Sequence, residues 1–132
     1  MDNLELLLEE RFLTVYYDRA NHWLIANWTN HQTEETVMYG CERMLTYLKE
    51  YQCQKILNDN TEVTSNWSDA SNWVATNWLP RMAEAGLRYF AWVYSKNQES
   101  NQAADKTLAQ ANTSIAITFD DRSTAEHWLR SV

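Results

Sequence analysis

Apolar positions alternate between a period of two and a period near 3.6 along the chain, and each switch marks a boundary between elements. From Phe12 to Asp18 the pattern is that of a strand, with Leu13, Val15 and Tyr17 on one face. Arg19 to His22 is a polar interruption of hairpin length, and Trp23 to Thr29 reads as the returning antiparallel strand. Ahead of this pair, Leu4 to Glu9 fits either a short first strand or a frayed segment. Thr33 is placed to cap a helix over residues 34–50. Glu34 and Glu35 fall at its positive end, and Val37, Cys41, Met44, Leu45 and Leu48 form its buried stripe. Gly40 inside that helix is either a local weakness or a point of close approach by another element. Lys55 to Asp59 predicts a short strand, and Asn60 to Ser65 a loop.

The next stretch carries most of the individuality of the chain. Trp67, Ala70, Val74, Trp78 and Met82 recur at three- and four-residue steps, with Ala75 and Leu79 widening the stripe, which predicts a helix from Asn66 to Ala85. Trp73 lies off the centre of that stripe. Pro80 removes a donor from the helix, so a kink is expected near residues 76–80, and Gly86 supplies the residue that ends it. Leu87 to Tyr94 is apolar and aromatic throughout, as in a central strand buried on both faces. A weakly amphipathic helix over residues 98–109, held by Ala103, Ala104 and Leu108, follows. Then comes a strand from Ile115 to Phe119 and a final helix with Ser123 as cap, Glu126 reaching back, and Ala125, Trp128 and Leu129 inward.

This order predicts a single α/β domain over residues 1–132. Its mixed sheet would hold an N-terminal antiparallel hairpin and three parallel strands joined by right-handed crossover helices, closed by a C-terminal helix. At 132 residues, 45% hydrophobic and 22% charged, the composition is that of a folded domain. A net charge of −7 and the lack of any Lys/Arg run argue against a nucleic-acid backbone binder. No apolar stretch approaches the ~20 residues of a membrane span, and no basic region followed by an apolar core opens the chain, so a cytoplasmic location is expected. Cys41 and Cys53, with no CxxC spacing, read as two reduced thiols, and the sequons at Asn27, Asn66 and Asn112 as chance.

The order of elements, with NxW…WLP…AGLRYFAWVYS and the closing FDD…AEHWL, resembles a group of small bacterial STAS-like proteins, which share the fold of the anti-sigma-factor antagonists. The residues that carry the likeness are Trp78, Leu79, Pro80, Gly86, Leu87, Ala91, Ala125, Trp128 and Leu129, mostly core and turn positions. The resemblance implies a binding or regulatory module that is not an enzyme. In the antagonists a serine at the start of a helix is phosphorylated by a partner kinase. The matching neighbourhood here, Asp59 to Ser68, lacks the Asp-Ser dipeptide, so no phosphosite is carried over.

Chemistry-bearing patterns are sparse. His22, His31 and His127 fall in separate elements without ligand spacing, no GxSxG elbow occurs, and two glycines make no phosphate loop. No catalytic residue, metal or cofactor is therefore assigned. Asp59 ends a strand where open α/β sheets place ligands, and Glu62 or Asp69 could pair with it, although a solvated loop carboxylate is the plainer account. Seven tryptophans either fill a heavy core or leave one or two rings, Trp67 or Trp73, for a pocket or interface. The expected binding residues are Asp59, Asn60, Thr61, Ser65, Trp67 and Trp73. The expected partner is a protein, with a homodimer as one arrangement, and the alternative is carriage of a small apolar or lipid-like ligand.

Overall fold

The computed structural model describes residues 3–132. Leu4–Glu10 (β1), Leu13–Asp18 (β2) and Trp23–Asn30 (β3) form an antiparallel meander. Lys55–Val63 (β4), Tyr89–Val93 (β5) and Ala116–Phe119 (β6) extend it in parallel from β3, in the order β1-β2-β3-β4-β5-β6. The predicted hairpin thus gains an outer strand, and its second strand opens the parallel run. Helices α1 (Glu34–Tyr51), α2 (residues 68–84) and α3 (Gln98–Gln110) lie on one face, over a core that includes Leu13, Leu24, Ile56, Trp78, Phe90 and Trp92. Crossovers of one hand that advance one strand at a time place their helices on a single face, and these three helices share one. Helix α4 (Arg122–Ser131) covers the opposite face, burying Ala125 and Leu129 against Leu57, Ala91 and Val93.

Helix α1 begins at the expected cap. Thr33 Oγ1 accepts from the Thr36 amide, and Thr36 Oγ1 accepts from the Thr33 amide, closing a capping box. Beside the apolar stripe, Tyr39, Arg43, Tyr47 and Tyr51 recur every fourth residue and build a ridge against the meander. Tyr47 donates to the carbonyl of Leu7, where β1 has a bulge between Leu6 and Leu8, and Tyr51 donates to the Glu5 carboxylate at 2.8 Å. The Arg43 guanidinium lies 5.0 Å over the Tyr47 ring. This ridge explains why the Leu4–Glu10 segment is a strand and not a frayed end.

Helix α2 is irregular where its sequence demands it. It opens with a tight 3-10 turn at Ser68–Ala70 and widens into a π-type turn at Val74–Trp78, where the Leu79 amide reaches back to the Val74 carbonyl. Pro80 has no amide to offer the Thr76 carbonyl, and the widened turn immediately before it absorbs the defect that was expected as a kink. Ala70, Val74, Ala75, Trp78, Leu79 and Met82 are buried, matching the stripe. Gly86, at φ +116°, lets the Leu87 amide return to the Met82 carbonyl at 2.9 Å.

Cys41 and Cys53 are both free and buried. Burial pushes the Cys41 thiol well above its ordinary value and Cys53 up to about 12. Because the thiolate is the reactive form, neither cysteine should react with a disulfide reagent at pH 8 in the folded protein, and both should in urea. One equivalent of fast-reacting thiol without denaturant would contradict this burial.

Candidate functional site

Parallel strands bring their C-terminal ends to one rim, and here all four converge on an open groove of about 610 Å³. Its walls come from Asn27 to Thr29 after the middle of β3, Asp59, Thr61 and Glu62 in β4, Tyr94 to Lys96 beyond β5, and Asp120 to Arg122 beyond β6. In open α/β sheets this is the edge where ligands bind.

Local chemistry shapes the β4 wall. Asn27 pairs with Asp59 and Thr29 with Glu62, so three steps of β4 face two of β3, which is a bulge. Asp59 stabilises it: Oδ1 accepts the Thr61 amide at 2.9 Å and also the Thr61 hydroxyl. The strand therefore runs on to Val63, which corrects the expectation of a loop from Asn60 to Ser65. Asp, Asn and Thr read as turn formers, but here a side chain replaces the missing ladder bonds.

Arg122 is the hub of the groove. Its Nη1 donates to Asn27 Oδ1 at 3.1 Å and lies 3.4 Å from Asp59 Oδ2, and its Nε donates to Glu126 Oε2 at 3.0 Å. One guanidinium thus ties β3, β4 and α4. Asp121, and not Ser123, caps α4, because its carboxylate accepts the Thr124 amide at 2.8 Å. That hydrogen bonding holds the Asp121 carboxyl below its usual range. Asp59, Glu62, Asp120 and Asp121 line the groove against only Lys96 and Arg122 as cations, so its face is acidic. Lys96 lies 3.6 Å from Glu62, both well exposed.

The residues expected to bind from the sequence separate into several places. Asp59 and Thr61 line the groove. Asn60 faces the helical side and is 6% exposed; its Oδ1 accepts from Asn58, whose own Oδ1 accepts the Trp28 indole at 2.8 Å. Ser65 accepts the Gln32 amide and donates to the Gln32 carbonyl, clasping the segment before α1 to the segment before α2. Trp67 is buried, stacked on Trp92 with centroids 5.8 Å apart, and donates to Ser100. Trp73 is half-buried, packed against the margin of the core with the Arg81 guanidinium over its ring. Asn60 and Trp67 are therefore buried and lie outside the groove, with Asn60 Oδ1 and the Trp67 indole N–H both bonded inside the fold. Arg122, Asn27 and Lys96 were missed. The pairing of Arg122 with Glu126 four residues on was the one signal available.

A second cavity, of about 30 Å³, lies within the core between Trp28, Asn58, Asn60, Trp67, Trp78 and Trp92. It is the size of about one water molecule. Among the described residues the Trp92 indole nitrogen has no hydrogen-bond partner. His22 is engaged with Tyr17 and with the Gln52 carbonyl, to which its Nε2–H donates at 3.2 Å. Among the described residues no three His, Cys, Asp or Glu side chains converge as a metal-ligand set, and no helix is long and apolar enough to cross a membrane. No protein-family model, curated protein or solved structure matches the chain.

Proposed function

We propose that the chain is a STAS-like interaction module, without chemistry of its own, that binds a protein partner at the rim groove. The observation that carries this reading is the groove itself: every parallel strand delivers polar residues to it, around an arginine already held by three side chains. Such a site is a fixed charged surface, suited to recognition by complementary charge. Its excess of carboxylates selects a partner segment carrying Lys or Arg. The STAS-like assignment is supported by the serial order of a hairpin followed by repeated strand–helix units, which is the order on which the resemblance rests. Carriage of an apolar ligand is the weaker reading, since ligand pockets run to about 300–1,000 Å³ and the tryptophan-lined cavity is about 30 Å³.

Asp59 and Ser65 are unsuitable for testing this, because one holds the β4 bulge and the other clasps Gln32. Glu62 is better. Among the described residues its one ion pair is with Lys96, at 3.6 Å and with both side chains largely in water, so reversing its charge leaves stability almost untouched. Glu62→Lys is expected to weaken a partner captured from native cells by about tenfold or more, with the melting temperature within about 2 °C of wild type. Undiminished binding by this variant, together with loss on Trp73→Ala, would move the site to the surface around Trp73 on α2.

A further inference from the structure

We propose that the free edge of β6 is a self-association surface, through which two copies of the chain pair antiparallel into one continuous sheet. Among the described residues the sheet ends at β1 and β6, and the two edges are built differently. The β1 edge carries Glu5, Glu9 and Glu10 and a bulge at Leu7. Those are devices by which proteins blunt an edge against pairing. The β6 edge has neither. Residues 112–119, Asn-Thr-Ser-Ile-Ala-Ile-Thr-Phe, contain no charge and no proline, and Ile117 is 42% exposed.

Backbone geometry fixes a register. The carbonyls of Ile115 and Phe119 turn inward and accept the Phe90 and Tyr94 amides, each at 2.9 Å. By the alternation of a strand, Ala116 and Thr118 turn their N–H and C=O groups outward. Antiparallel pairing centred on Ile117 sets Ala116 of one copy against Thr118 of the other, so that each outward N–H meets an outward C=O. The two Ile117 side chains then meet as a close, non-hydrogen-bonded pair. They meet beside Tyr89, Phe119 and Trp128, a partly buried aromatic cluster on the same face.

Charge selects the same edge. With a net charge of −7, two copies repel over most of their surfaces. In the Ile117-centred register the nearest acids face hydroxyls: Asp120 lies opposite Ser114, and Asp121 opposite Thr113. No like charges are opposed. An isologous pair of this kind also closes on itself, leaving only the acidic β1 edges at the ends of the joined sheet.

Sedimentation equilibrium on the full chain tests this. The wild type is expected to show twice the chain mass at micromolar concentration. Ile117→Lys should raise the dimer dissociation constant at least ~10-fold by opposing two ammonium groups across the two-fold axis. Ala116→Pro removes an outward N–H at the first residue of a strand, where proline is tolerated, and should give the same loss with an unchanged far-ultraviolet spectrum. Leu6→Lys, on the β1 edge, should leave the mass doubled. A monomeric wild type overturns the proposal, as does a dimer that persists in folded Ala116→Pro or is lost only in Leu6→Lys.

Discussion

Trp78→Ala is expected to lower the free energy of unfolding by about 3 to 5 kcal/mol. A fall in the urea midpoint at unchanged slope would measure it. The ring is 2% exposed, meets Phe90 edge-on at 5.9 Å, and donates from its indole nitrogen to the Cys41 carbonyl at 2.7 Å. Truncation therefore removes apolar contact, a hydrogen bond between α2 and α1, and the wall of a cavity already about 30 Å³ in size. That cavity would grow, since the rings around it are pinned: Trp28 by Asn58 and Trp67 by Ser100. Trp78→Phe keeps much of the area but loses the hydrogen bond, and should fall between the two. A midpoint that hardly moves in the alanine variant would show that the ring is not buried between the sheet and α1.

Gly40→Val should cost about 3 kcal/mol, by the opposite route of overpacking. A Cβ at residue 40 would stand 2.5 Å from Trp28 Cη2 and 2.7 Å from Leu13 Cδ2, well inside contact distance. The indole is not free to retreat, because its nitrogen holds Asn58 at 2.8 Å within the sheet. Alanine is the informative substitution. On helix propensity alone Gly40→Ala would gain about 1 kcal/mol, so a net loss would report the clash directly. In a Trp28→Leu background the same change should cost less, since only the Leu13 methyl at 2.7 Å then has to give way. If Gly40→Ala stabilises the otherwise unaltered protein, the close approach of β3 to α1 is wrong.

Much of the fold was legible because its elements are amphipathic in the ordinary way. The stripe of α1 and the alternation of β2 state which face is buried, and the apolar runs of β3 and β5 mark strands buried on both faces. What escaped was polar material used inside the fold. Asn60 looks like a loop residue and Asn58 like a polar strand end, yet they are 6% and 4% exposed, because an indole N–H satisfies Asn58 and Asn58 satisfies Asn60. A hydropathy pattern holds no record of such pairings, so it ends β4 at Asp59. The cap of α4 was misplaced for a related reason: Asp121 and Ser123 are both competent caps, and only the chain path past Phe119 decides between them. The rim was foreseeable from topology once the parallel strands were assigned. Arg122 as its hub was not, since its partners lie 63 and 95 residues away in sequence.

Each strand lies beside the strand that precedes it in the chain, from β1 through β6. No strand has to slip between two that are already paired. A growing polypeptide can therefore lay down the antiparallel meander first and add one strand–helix unit at a time to its open side, with every new strand finding its neighbour already in place. Assembly in that order keeps each loop closure local and short. It also leaves one moving edge opposite the fixed β1 edge, which passes outward with every unit until β6 is added.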